Sequence, residues 1–166
     1  RQTATLWWQQ PSSIPGSAIT DYIIEYSSDS GSTWTTFNDG TSTTASATVT
    51  GLTNGTSYIF RVSAKNVIGT GSASTNSTAA VPSTVTNAPT SVTGTSNENG
   101  QSTVTWNAPS SVGGAAITDY IIEYSTNGST YTVFSDTTST STQVVVTGLT
   151  NGVAYYFRVK AVNPSG

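Results

Sequence analysis

The chain has 166 residues, of which 8% are charged and 59 are Ser or Thr, and it contains no Cys, His or Met. The lack of thiol and imidazole groups excludes a Ser-His-Asp triad, a Cys nucleophile, and a zinc or haem site held by those ligands. The net charge of −3 argues against nucleic acid as a partner, because nucleic acid normally meets a basic surface. We therefore expect no enzyme activity, no catalytic residues, no metal and no cofactor.

The length allows one large domain or two small ones. No apolar run approaches the roughly 18 residues of a membrane helix, so we expect no direct membrane insertion.

An internal repeat organises the sequence. Residues 4–27 align with 102–125 at an offset of 98, and residues 48–66 align with 145–163 at an offset of 97. The missing residue falls in the turn that follows Tyr26 in the first copy and Tyr124 in the second. A length change confined to a turn is typical of two copies of one β-fold.

In the first copy, apolar side chains alternate through residues 21–26 and 58–65, a period of two that predicts half-buried strands. A last strand is predicted within residues 71–81. Asn-Gly and Gly-Gly pairs mark turns, and the abundance of Thr and Val over Leu disfavours helices. The sequence thus predicts an all-β sandwich without a substantial helix.

Residues 82–89, bounded by Pro82 and Pro89, are predicted to form a short linker that holds two sandwiches nearly end to end. The second copy then begins with a strand near residues 90–96. The expected domains are residues 1–84, which lack the first strand (A), and residues 85–166, which lack the last strand (G). We favour the interpretation that this is a window of a longer array. In the alternative, neighbouring chains supply the missing strands by β-augmentation.

A set of motifs accompanies the repeat. The second copy contains Pro89-Thr-Ser-Val, Val104-Thr-Trp106-x-x-Pro109, Ile117-Thr-Asp-Tyr120-x-Ile122-x-Tyr124, Gly148-Leu149 with Tyr155 six residues after the Leu, and Phe157-Arg158-Val159-x-Ala161-x-Asn163. The first copy repeats most of them. Together these residues resemble tandem fibronectin type III domains of the Ser/Thr-rich type common in bacterial and phage surface proteins. The resemblance implies two immunoglobulin-like β-sandwiches in tandem.

The resemblance also implies roles for individual residues. Trp8 and Trp106 are expected to anchor the core between the sheets, and Tyr58 and Tyr155 to form tyrosine corners whose hydroxyls bind nearby backbone. The full expected core is Trp8, Trp106, Tyr22, Tyr120, Leu52, Leu149, Tyr58 and Tyr155. The Arg-Gly-Asp motif through which some family members bind integrins is absent.

Three charged positions recur in both copies: Asp21/Asp119, Glu25/Glu123 and Arg61/Arg158. Asp21 and Glu25 are four residues apart on a strand, about 13 Å, which is too far for the roughly 10 Å limit of a glycosidase carboxylate pair. Each Glu is expected to face outward beside the Arg of its own copy. The sequence therefore predicts cross-strand ion pairs rather than a catalytic site.

Three aromatic residues are not needed for the predicted cores. Trp7 is expected to point outward, and Trp34 and Tyr131 to lie on the strand after the Tyr-x-Ile-x-Tyr strand. Exposed aromatic rings stack on sugars or anchor protein partners, which makes these three the candidate surface contacts. In the alternative, Trp34 and Tyr131 pack beside Phe37 and Phe134, and Trp7 is covered by a neighbouring domain or chain.

The main functional hypothesis is a non-catalytic spacer and interaction module of a larger extracellular, cell-surface or virion protein, within a longer array. Its expected partners are neighbouring domains or copies of the same protein, with glycans or a surface protein as further candidates. The alternatives are an accessory region of a secreted carbohydrate-active enzyme, and a phage tail or capsid decoration protein.

Overall fold

The structure is a computed structural model that describes residues 2–12, 16–96 and 98–166. Those residues form twelve strands and no helix, as predicted. They divide into two compact units, Arg1–Ser83 and Thr84–Gly166.

The first unit is a sandwich of two antiparallel sheets. Its six strands are β1 (Ala4–Trp7), β2 (Asp21–Ser27), β3 (Thr35–Phe37), β4 (Ser46–Val49), β5 (Ile59–Lys65) and β6 (Thr70–Ala73). One sheet has the order β1-β4 and the other the order β3-β2-β5-β6. After β6 the chain continues along β5, where Ser77 N donates to Phe60 O and an isolated bridge joins Tyr58 to Ala80.

The second unit repeats this design with a different set of outer strands. Its strands are β7 (Thr90–Gly94), β8 (Gln101–Asn107), β9 (Asp119–Ser125), β10 (Thr132–Val133), β11 (Gln143–Thr147) and β12 (Tyr156–Val162). The sheets have the orders β11-β8-β7 and β10-β9-β12. Within the described residues, β7 has no counterpart in the first unit and β6 has none in the second.

Alternating burial along the strands places one core inside each unit. The buried residues of the two hydrophobic clusters are Ile24, Val49, Leu52, Tyr58 and Phe60 in the first unit and Val104, Trp106, Tyr120, Ile122, Val146 and Val159 in the second. Burying such side chains contributes about 1.5–3 kcal/mol each. Each core therefore supports its own unit, in agreement with the predicted two-copy organisation.

The predicted linker is wrong in one respect, because part of it packs on the second unit. Thr84 N donates to Gly113 O at 2.9 Å, and Asn87 N donates to Ser111 O at 3.0 Å. Gly113 has φ +69°, and a Cβ atom there would lie 2.2 Å from Thr84 O. The segment approaches the loop after β8 so closely that only glycine fits at position 113.

Candidate interaction surface

The predicted ion pair of the first unit is present on the outer face of the larger sheet. Glu25 and Arg61 lie opposite each other on β2 and β5, with Arg61 Nε 2.7 Å from Glu25 Oε2. The Arg61 guanidinium lies 4.1 Å from the centroid of the Trp34 ring. Trp34 Nε1 donates to Gly31 O at 3.1 Å. One face of this indole and its only donor are therefore already engaged.

The second unit builds the same arrangement with a stronger charge network. Arg158 Nε and Lys160 Nζ contact the two oxygens of Glu123 at 2.5 and 3.0 Å, and the Arg158 guanidinium lies 3.9 Å from the Tyr131 ring centroid. Hydrogen bonding from Arg158 holds the pKa of Glu123 below its ordinary value, against the opposing effect of burial. The same hydrogen bond raises the pKa of Arg158. The Glu–Arg pair predicted for both copies is thus accompanied in each by an aromatic ring stacked on the Arg, Trp34 in the first unit and Tyr131 in the second.

Trp34 and Tyr131 differ in two ways from the sequence interpretation. They immediately precede β3 and β10 rather than lying on those strands. Their contact is a cation–π stack with Arg, worth about 0.5–1 kcal/mol at exposed sites, whereas the alternative placed them beside Phe37 and Phe134. Of the three candidate aromatics only Trp7 has an open ring, with 77% of its surface exposed on the outer side of β1.

Of the eight residues expected in the core, five are buried (Tyr22, Leu52, Tyr58, Trp106 and Tyr120) and three are half-buried (Trp8, Leu149 and Tyr155). Trp8 contacts Tyr22 edge-on at 5.1 Å between centroids, and Trp106 contacts Tyr120 in the same way at 5.2 Å. The Nε1 atoms of both Trp residues are buried without a hydrogen-bond partner among the described residues. Leu52 and Leu149, which correspond to each other in the repeat, are buried and half-buried, respectively.

Both tyrosine hydroxyls make the backbone contact implied by the family resemblance. Tyr58 Oη accepts from Thr53 N at 3.0 Å, and Tyr155 Oη accepts from Thr150 N at 3.1 Å. Tyr58 is buried, whereas Tyr155 is half-buried.

Asp21 and Asp119 have a role that the sequence interpretation did not assign. Asp21 Oδ1 accepts from Ser42 N, and Asp119 Oδ1 accepts from Ser139 N, each at 3.0 Å. Each carboxylate thereby fixes the loop that passes from one sheet to the other, between β3 and β4 in the first unit and between β10 and β11 in the second. The Asp-Tyr pair that recurs in both copies was the sequence signal from which this structural role of Asp could have been predicted.

The first unit also contains a cleft that the sequence did not reveal. It opens between the end of β1 and β6, has a volume of about 720 Å³, and is lined mainly by apolar groups that include Trp8, Tyr22, Ala64 and Ile68. Within the described residues, no group of three acidic side chains is positioned to hold a metal ion. In the same part of the chain, no helix is long and apolar enough to cross a membrane.

Comparison with known proteins agrees with the geometry. Residues 1–80 and 87–166 each match the family model of the fibronectin type III domain. The chain is 28% identical to slow-type myosin-binding protein C of Rattus norvegicus over 178 residues, covering 96% of this chain and 29% of that protein. It is 36% identical to Chitinase A1 of Niallia circulans over 131 residues, covering 75% of this chain and 18% of the enzyme. The chain therefore spans less than a third of the length of either relative.

Among solved structures, titin domains A168–A170 resemble the chain with a TM-score of 0.59 at 21% identity, covering 99% of this chain and 61% of that one. At this level of identity the likeness shows the fold alone.

Proposed function

We propose, since the chain belongs to the fibronectin type III family, that it is a non-catalytic structural and interaction module of a larger protein. Family members of this kind occur as parts of longer chains, as the coverage of both relatives illustrates. We further propose the Ser/Thr-rich type, within an array of similar domains whose partners are neighbouring domains or copies of the same protein. An extracellular or cell-surface location, or a virion surface, suits an exterior with few charges and many hydroxyls.

One observation carries the proposal: the repeated charged residues are engaged inside their own units. Glu25 and Glu123 pair with arginines, and Asp21 and Asp119 bind loop backbone. A general acid or base needs a carboxyl group that faces a substrate and is free to exchange a proton. These carboxylates instead stabilise strands and loops, and the second copy repeats the arrangement.

The absence of catalysis is tested by incubating the chain with insoluble chitin and other polysaccharides and measuring reducing ends. We expect no release above the buffer control. Release that disappears in Glu123→Gln would overturn the proposal, because that carboxylate would then have a chemical role beyond its ion pairs.

The structural role is tested by stretching single molecules of the chain. Two units of similar size should unfold in two separate events, each releasing roughly 25 nm of chain at about 3.4 Å per residue. The variant Tyr58→Phe serves as an internal control, because it should lower the force of one event and leave the other unchanged. A single event, or extension without resistance, would contradict independent load-bearing units.

A second candidate function is an accessory region of a secreted carbohydrate-active enzyme, which the 36% identity to Chitinase A1 favours. It is tested by placing the chain between a chitin-hydrolysing domain and a chitin-binding domain and measuring hydrolysis of insoluble chitin. The control fusion carries a Gly/Ser linker of equal length. Faster hydrolysis than the control supports the accessory role, and equal rates reject it.

A further inference from the structure

Three asparagines of the chain stand in the pattern Asn-x-Ser/Thr, the acceptor pattern for N-linked glycans: Asn54, Asn76 and Asn127. The pattern by itself selects no site, because a chain with 59 Ser and Thr residues contains it by chance. Transfer of a glycan to a folded protein needs an exposed carboxamide that is free to enter an enzyme, together with the hydroxyl two residues later. The structure separates the three asparagines on these grounds.

The carboxamides of Asn54 and Asn127 are occupied within the fold. Asn54 Oδ1 is buried. Asn127 is exposed, but its Oδ1 accepts from Ser129 N and Thr130 N, each at 2.9 Å, within a tight turn. Ser129, which supplies the hydroxyl of the pattern, is therefore part of the same hydrogen-bonded turn. Either carboxamide must leave its place in the fold before an enzyme can use it.

Asn76 lies on the exposed segment that follows β6, and its carboxamide is open. Ser77 N donates to Phe60 O at 2.9 Å, and Ser77 Oγ accepts from Phe60 N at 3.0 Å, so the central residue of the pattern is anchored to β5. Asn76 and Thr78, on either side of it, are exposed. Neither of these two side chains has a hydrogen-bond partner among the described residues. The fold thus holds the backbone and leaves both recognised groups free.

The surroundings of Asn76 accommodate a bulky neutral group. A Cβ atom at Gly31 would lie 3.6 Å from Asn76 Nδ2, 3.4 Å from Trp34 Cζ2 and 3.5 Å from Ile59 Cδ1, so the three side chains converge on one turn. Trp34 and Ile59 are half-buried and offer an attached sugar an apolar surface beside its attachment point. Residues 69–80 contain no charged side chain that would compete for this surface.

We propose that the folded first unit is an acceptor for one N-linked glycan, at Asn76. The donor is an oligosaccharide linked to a polyprenyl diphosphate, and the catalyst is an oligosaccharyltransferase. Asn76 Nδ2 forms a bond to C1 of the reducing-end sugar and loses one proton, while the C1–O bond breaks and the polyprenyl diphosphate leaves. The inference rests on the proposed extracellular or surface location, because this transfer takes place on exported proteins.

The test is incubation of the folded full chain with a purified oligosaccharyltransferase and its lipid-linked oligosaccharide, followed by site mapping with mass spectrometry. Short peptides centred on Asn54, Asn76 and Asn127 are treated in parallel. We expect all three peptides to be modified, and the folded chain to be modified at Asn76 at least tenfold more than at either other site. A folded chain that stays unmodified at Asn76 while its peptide is modified would refute the inference, and so would equal modification of Asn127.

Substitutions at Thr78 separate recognition from folding. Thr78→Ala removes the recognised hydroxyl and should abolish modification of Asn76, whereas Thr78→Ser keeps the hydroxyl and should retain it. Asn127→Gln is the matched control and should leave the modification of Asn76 unchanged. Modification that persists in Thr78→Ala would contradict recognition through this pattern.

Thermal unfolding of the glycosylated chain tests whether the fold accommodates the sugar. The first unit should keep its Tm or gain in Tm, because the sugar lies against the surface of Trp34 and displaces no core residue. A lower Tm would contradict the site. Failure of the transfer leaves the polysaccharide and stretching results untouched, so it is distinguishable from failure of the proposed function.

Discussion

Replacing the corner tyrosines with phenylalanine should destabilise the two units unequally. Tyr58→Phe removes the acceptor for Thr53 N at a tyrosine that is 7% exposed. Thr53 is exposed, but the buried Tyr58 ring shields the bond from one side, so water replaces the lost bond only in part and we expect a cost of about 1.5 kcal/mol, the upper end of the net range for one hydrogen bond. Thr150 is exposed too, but Tyr155 is only half-buried, so water replaces the lost bond more fully in the second unit. Tyr155→Phe should therefore cost about 0.5 kcal/mol.

The assay is thermal unfolding of the full chain with resolved signals for each unit. For a unit of 83 residues, 1 kcal/mol corresponds to about 4–8 °C in Tm. Tyr58→Phe should lower the first unit's Tm by about 6–12 °C, and Tyr155→Phe should lower the second unit's by about 2–4 °C. Equal shifts would show that burial does not determine the cost of the lost hydrogen bond. No shift in Tyr58→Phe would refute the corner as a stabilising contact.

Three further predictions concern the loops and the ion pairs. Hydrogen bonds from Ser27 and Thr33 lower the pKa of Asp29 to about 2, so its stabilising effect is complete above pH 3.8 and lost as the pH falls towards 2. Asp29→Asn should abolish this acid dependence, measured by unfolding midpoints from pH 5 to 2, and an unchanged profile would contradict it. Gly113→Ala should lower the Tm of the second unit far more than Gly148→Ala, because no atom lies within 4 Å of a Cβ built at Gly148; equal shifts would show that the backbone conformation alone sets the cost. Glu123→Gln should cost about 1 kcal/mol in urea unfolding and Glu25→Gln less, because Glu123 is the more buried and has two cationic partners; the reverse order would contradict this account.

Much of the fold was predictable because the repeat doubles every local signal. The period of two through residues 21–26 and 58–65 placed Glu25 and Arg61 on outward positions of strands, and the antiparallel register then brought them opposite each other. The strands therefore follow from the alternation of apolar and polar residues, and the ion pair follows from that alternation together with the pairing of β2 with β5.

The remaining features depend on contacts that local sequence does not encode. Trp34 reaches Arg61 only through the geometry of the turn after β2, so its stacking could not be read from spacing. Residues 84–89 have the composition of a linker, with prolines and small polar residues. They become part of the second unit through tertiary hydrogen bonds to Ser111 and Gly113.

The identity of β2 and β9, both DYIIEYS, has a consequence for how the chain folds. Because β5 and β12 present equivalent arginines, β9 pairing with β5 would satisfy the same Glu–Arg contact as the native pair β2 and β5. Adjacent repeats of such similarity are prone to strand exchange during refolding. Kinetic traps should thus be more populated when the whole chain refolds at once than when the first repeat emerges and folds before the second is synthesised.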